Sequence, residues 1–253
     1  MRHMVFASRN IKELLRDPIS YIFCLGLPIL MLIMMTVINS SIPDKAQMVI
    51  FNIDHLAPGI AVFSFSFIML FACLQVSKDR SSSFLIRLYA SPMTAFDFII
   101  GYTVPLLVIA LGQCAVTFAA SAVIGMITGI TFKLANVLLS IVTLIPSAFL
   151  FIGFGMLFGS FFSDKTAPPM CSMVITISSL IGGIWMDVDM IGGTLKKICE
   201  VFPFYHGVQT SRAALTGNYF GMLLPFIIVC IYAIAIYAAA VFVFRKKMQS
   251  DNN

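Results

Sequence analysis

Leu223–Phe244 reads LLPFIIVCIYAIAIYAAAVFVF, and Arg245, Lys246 and Lys247 follow at once. No charge interrupts the run. A helix needs about 20 apolar residues to cross the hydrocarbon of a bilayer, so this stretch reads as a membrane span with a cationic stop. Five more runs share its character: Ile19–Ile38, Leu56–Val76, Phe98–Ile127, Asn136–Phe162 and Ala167–Met186. Each carries charge only at its margins. The chain as a whole agrees, with 253 residues, 60% hydrophobic and 11% charged, where a soluble domain has about 25% charged residues. The sequence therefore predicts an all-α polytopic membrane protein with six transmembrane helices in one domain, residues 1–253. The third and fourth runs exceed the bilayer thickness and must tilt, kink or protrude. Pro105 and Pro146 are the expected kink sites.

Six spans place both termini on one side, and the 16 Lys and Arg say which. Arg2, Arg9, Lys12, Arg16, Lys78, Arg80, Arg87, Lys165, Arg245, Lys246 and Lys247 fall on the side of the termini. Lys45, Lys133, Lys196, Lys197 and Arg212 fall opposite. Cytoplasmic loops hold the excess of cations, so both termini are expected in the cytoplasm. The net charge of +5 then reports topology, and no nucleic-acid partner is implied. The first run lacks a small-residue cleavage site and reads as a retained span.

Four segments lie outside the spans. In residues 1–18, Met4, Ala7, Ile11, Leu14 and Leu15 share one helical stripe, with Arg9, Lys12, Glu13 and Arg16 opposite. Such a helix is too charged to span and suits the membrane surface. In residues 77–97, Ser81–Ser83 can start a short helix that Ser91-Pro92 stops, with Phe84, Leu85, Leu88 and Tyr89 on one face. An apolar face flanked by Arg80 and Arg87 outside the membrane wants a protein partner. Thr94 and Asp97 then fit a capping box for the third span. Residues 163–169 form a tight turn carrying Asp164 and Lys165, with Pro168 and Pro169 opening the next span. Residues 187–222 are too long for a turn. Thr194 can cap one helix, Pro203 breaks it, and a second runs to Thr216 with Gly217 just past its end. Two short helices between spans suggest a re-entrant hairpin or an outer cap.

The missing chemistry is equally informative. No GxxxxGK[ST] occurs, so no nucleotide is expected in a P-loop of this chain. There is no HExxH, no GxSxG and no Cys/His/Asp cluster, so neither catalytic residues nor a metal site are expected. The six cysteines include no CxxC pair and read as small buried hydrophobes. His206 reads as a satisfied or interfacial histidine. The span interiors offer only Gln113, hydroxyls and backbone, whereas ion coupling usually needs a titrating or coordinating group at membrane depth. A driving force must then come from a partner. An ion-coupled or passive carrier using backbone ligands, without any ATPase, stays open as the alternative. The 24 Phe and 16 Met suit a bulky apolar or amphipathic cargo wherever they line a path. Gly155 and Gly159 form a GxxxG for close helix approach, with no hint of the partner helix.

With these segments in place, the chain resembles the permease subunit of an ABC-2 type exporter. The likeness is carried by the amphipathic residues 2–17 leading through Arg16-Asp17-Pro18, and by His55–Ile60 opening the second span. It continues in Lys78–Arg80 through Arg87–Pro92 to Ile100–Tyr102. It ends in Leu180–Ile184, Phe202–His206 and Arg212–Gly217. The chain departs from the family pattern at Ser81–Ser83 and at Asp187–Asp189. The resemblance implies a multi-pass protein of a bacterial cell membrane and a second permease chain, identical or paralogous. It also implies cytoplasmic ATPase subunits that hold ATP and Mg, and membrane lipid around the bundle. It makes residues 77–97 a coupling-helix loop, with Asp79, Arg80, Phe84, Arg87, Leu88, Asp164 and Lys165 facing the ATPase. It makes residues 187–222 an outer re-entrant gate with Pro203, Phe204, Tyr205, His206 and Arg212. It makes Arg9, Lys12 and Arg16 the charged face of the interfacial helix. The implied cargo is a drug, an antibiotic or a lipid-like molecule, moved outward.

Overall fold

The structure, a computed structural model, describes residues 2–18, 22–43, 48–82 and 94–250. These are helical almost throughout, with no strand among them. In chain order they form α1 (Arg2–Leu15), a π turn (Ile22–Gly26) running into α2 (Leu27–Ser41), and α3 (Ile53–Ser81). Then come α4 (Ala95–Thr128), α5 (Leu134–Thr143), α6 (Ile145–Phe161) and α7 (Ala167–Ile181). The chain ends with α8 (Val188–Ile191), α9 (Gly193–Val201), α10 (Pro203–Thr216) and α11 (Tyr219–Ser250).

Five segments are long and apolar enough to cross a membrane: Ile22–Ser41, Ile53–Ser81, Ala95–Thr128, Leu134–Phe161 and Tyr219–Lys246. The run Ala167–Met186 differs from expectation. It yields α7, of 15 residues, roughly 22 Å long against a hydrocarbon core of about 30 Å. Gly182 and Gly183 stop it, and Gly183 takes φ 64°, a conformation that side-chain-bearing residues avoid.

Helix α3 is the hub. Its first turn carries Asp54 and its last turn Lys78 and Arg80, the order that the helix dipole favours. Within its apolar window 78% of the residues are buried inside the chain, against 17% for α11. The close neighbour is α6. A Cβ on Gly155 would strike the Met69 carbonyl and the Ala72 methyl, and one on Gly159 would lie 2.6 Å from the Cys73 carbonyl. The GxxxG of α6 thus seats its backbone directly on α3, and Phe65–Phe151 stacking at 6.4 Å continues the contact.

Two prolines act differently. Pro146 cannot donate to the carbonyl four residues back, and the fourth span breaks at Leu144 into α5 and α6. Pro105 leaves α4 continuous. The carbonyl it orphans is that of Gly101, and Asn10 Nδ2, from α1, donates to it at 3.0 Å. Asn10 is wholly buried. Gly101 also leaves room for the Phe6 ring, which meets Phe98 and Tyr102 edge-on. The backbone defect at Pro105 is therefore the dock for α1.

That docking divides the expected stripe. The buried face of α1 is Phe6, Ala7, Asn10 and Leu14, while Met4 and Leu15 are exposed. Helix α1 and the end of α11 lie together, since Tyr102 meets Phe244 at 6.5 Å. Both termini thus share one end of the bundle, here the proximal end; α8–α10 sit at the distal end.

Candidate functional site

Among the described residues, the buried charged side chains are Asp79 and Arg212. They lie at opposite ends of the hub region, and each organises a polar cluster.

At the proximal end α3 runs on to Ser81 instead of stopping near Val76, because its charged last turn finds partners in three other elements. Asp79 is 2% exposed. Arg9 grips it with both guanidinium nitrogens, at 2.8 and 3.0 Å, and the Tyr102 hydroxyl donates at 2.8 Å. This fork fits carboxylate geometry, and the bond to Asp79 holds the Arg9 guanidinium above its ordinary pKa. Arg9 also meets Glu13 at 3.0 Å, and Lys78 meets Glu13 at 2.9 Å. On the other flank Arg80 donates to the carbonyls of Ser160 and Phe162 at the end of α6. A cation there complements the negative helix terminus. Ser81 Oγ donates to Asp164 at 2.8 Å, in a turn closed by Ser163 and Thr166. The N-terminus of α4 is fixed by the expected capping box, with Thr94 N donating to Asp97 at 2.9 Å and Asp97 N to Thr94 Oγ1 at 3.3 Å.

The sequence assigns Asp79 to the ATPase-coupling group; in the structure its carboxylate is buried and held by Arg9 and Tyr102. Arg80 and Asp164 are half-buried and Lys165 is exposed, and all three gather beside the last turn of α3. Lys12 and Arg16 are exposed, and Arg9 is half-buried because it serves Asp79. Phe84, Arg87 and Leu88 lie outside the described residues, as do Ser83 and the expected stop at Ser91-Pro92; of the expected helix start at Ser81–Ser83, Ser81 is instead the last residue of α3 and Ser82 its cap.

At the distal end Arg212 is 8% exposed. Its Nε donates to the His55 carbonyl at 3.0 Å and its Nη2 to the Gly183 carbonyl at 3.1 Å. One side chain of α10 thus ties the first turn of α3 to the turn after α7. Asp189 accepts from Tyr205 at 3.0 Å and from Gln209 at 3.1 Å, and pairs with Lys196 at 2.8 Å. Burial would push the Asp189 carboxyl up, but these three donors outweigh it and hold it below its ordinary pKa. Burial, helped by Asp189, pushes the Tyr205 hydroxyl up to about 12. His206 is buried and its Nε2 donates to the Glu200 carbonyl at 2.7 Å. Pro203 opens α10, and Phe204 stacks on Phe151 at 5.4 Å. Gly217 ends α10 with φ 82° as expected, while α9 starts at Gly193 without a cap from Thr194. Asn136 and Ser140 of α5 bind the Leu215 and Ser211 carbonyls.

Sequence reasoning missed Asn10, Tyr102 and Asn136. Only Asn10 had a legible signal, Pro105 being bound to leave the Gly101 carbonyl unmatched.

The fold is a helical bundle with five segments long and apolar enough to cross a membrane and a polar cluster near each end of α3, the build of a multi-pass membrane protein. Residues 3–216 match the family described as ABC-2 type transporter, and the chain belongs to that family. It is a multi-pass permease of an ABC transporter, and that membership implies association with an ABC ATPase. No curated protein matches the chain.

Proposed function

We propose that this chain forms the translocation path of an exporter for a bulky apolar or amphipathic substrate, such as a drug, an antibiotic or a lipid-like molecule. Hydrolysis of ATP with Mg takes place on separate cytoplasmic ATPase subunits, and this chain is not itself an enzyme. It crosses a bacterial cell membrane six times with both termini in the cytoplasm. Helix α7 makes the fifth crossing together with the turn after it, in a locally thinned layer. Helices α8–α10 form the re-entrant outer region, α1 lies in the inner surface, and a second permease chain completes the path.

One observation carries this reading. Among the described residues the buried charges are Asp79, in the last turns of α3, and Arg212, which reaches the first turn of α3 from α10, and none is buried between them to take up an ion's energy. The proximal end is instead built to receive a push. Its last turn is tied to α1 through Asp79 and to α6 through Arg80, directly before residues 83–93. A force on that segment moves the hub helix as a unit with its neighbours. Phe84 and Leu88 are then the apolar anchors in an ATPase groove, with Arg87 at the rim and Lys165 as a lesser contact.

The test is a Leu88→Asp variant, with Phe84→Asp beside it, in a complex reconstituted with its ATPase. ATP hydrolysis continues, membrane insertion is normal, and transport is lost. Unchanged transport would falsify the coupling assignment.

A further inference from the structure

A cavity of about 470 Å³ lies beside the proximal end of α3. Its size is within the range of small-ligand sites, about 300–1,000 Å³. Phe71, Leu74 and Gln75 of α3 form one wall, and Leu14, Arg16 and Pro18 at the end of α1 form another. Gln75 is 7% exposed, and neither its amide nitrogen nor its amide oxygen has a hydrogen-bond partner among the described residues. A buried amide without partners costs about 1–3 kcal/mol, so a group from outside is expected to satisfy it.

The charges around the cavity narrow that group. Arg16 and Asp17 bring one charge of each sign, and the other two lining charges, Lys78 and Glu13, already bridge each other at 2.9 Å. The rim is therefore balanced, and a purely anionic ligand gains little from it. A ligand bearing one anion and one hydrogen-bonding cation satisfies both signs. The Gln75 amide is likewise two-sided, with N–H groups to donate and a carbonyl to accept. Depth narrows it further. Phe71 and Leu74 are apolar and Lys78 is exposed, so the cavity straddles the level where α3 passes from hydrocarbon to headgroups.

We infer that this cavity is a binding site for a phospholipid whose headgroup carries a phosphate and a primary ammonium, as in phosphatidylethanolamine. The phosphate takes N–H groups from Gln75 and Arg16. The ammonium donates to the Gln75 carbonyl and the nearby carboxylates. An acyl chain follows Phe71 and Leu74. A quaternary ammonium has no N–H to donate, so phosphatidylcholine is the weaker ligand. The inference rests on the reading that α1 lies in the membrane surface.

Native mass spectrometry of the full chain in detergent tests it, with dioleoyl phosphatidylethanolamine, phosphatidylcholine and phosphatidylglycerol titrated separately. One phosphatidylethanolamine per chain should be retained, about tenfold more tightly than either rival. Gln75→Leu, close in volume, should remove the preference. Arg16→Gln, at an exposed position, should weaken retention. Soluble glycerophosphoethanolamine at equal concentration should not displace the lipid. Equal retention of the three lipids, displacement by the soluble headgroup, or unchanged preference in both variants would overturn the site. Lipid retention is read without ATP, so its failure leaves the Leu88→Asp transport result untouched.

Discussion

Asn10 of α1 donates to the carbonyl of Gly101 at 3.0 Å, the acceptor that Pro105 leaves vacant four residues on. The N-terminal helix is thereby bolted to a long apolar helix at the point where the second cannot complete its own ladder. Phe6 fills the space that Gly101 leaves, so polar and apolar contacts coincide.

The bolt gives a double-mutant prediction. Asn10→Leu should lower thermal stability in detergent by about 1–3 kcal/mol, because the Gly101 carbonyl becomes unmatched. Pro105→Ala restores the backbone donor. In that background Asn10→Leu should cost clearly less. Equal costs in both backgrounds would dissociate Asn10 from the proline defect.

The Arg9–Asp79 fork gives a second. Arg9→Ala leaves a buried carboxylate with Tyr102 alone, and should destabilise by about 3 kcal/mol. Arg9→Leu combined with Asp79→Leu removes both charges and should recover most of that loss. A double variant as unstable as Arg9→Ala, by thermal unfolding in the same detergent, contradicts the pairing.

Glycine positions separate contact from propensity. Gly155→Ala places a methyl against the α3 backbone and should cost about 1–3 kcal/mol. Gly112 has open space around it, so Gly112→Ala should be neutral or stabilising by up to about 1 kcal/mol. Reversed signs in a thermal-shift comparison would refute the α3–α6 seat.

The distal cluster should respond to pH. The folded Asp189 carboxyl sits below its ordinary value, so its contribution is present above the ordinary carboxylate pKa, about 3.9. It is lost as pH falls through the folded value. The stability gap between wild type and Asp189→Asn should be open at neutral pH and close below about pH 4. A gap that stays constant on acidification rules out the assignment.

Much of this was legible in the residues. Charge-free runs mark the long helices, and Thr94 with Asp97, Pro146 and Gly217 announce a cap, a break and a stop. Three features were not. Hydropathy summed over Ala167–Met186 gives no weight to Gly183, whose positive φ ends the helix early. Local charge at Lys78–Arg80 reads as loop, because its partners Glu13, Arg9 and the Ser160 carbonyl come from distant parts of the chain. Periodicity in α1 favours Met4 over Asn10, since a polar residue becomes a core residue only where another helix offers it a carbonyl.

The central claim, that energy enters from an ATPase at the proximal end, is measured most directly in proteoliposomes. The chain with its ATPase should move cargo when ATP is supplied on the ATPase side, and the chain alone should not concentrate cargo under a proton or sodium gradient. Uphill transport by the chain alone, driven by either gradient, would contradict it.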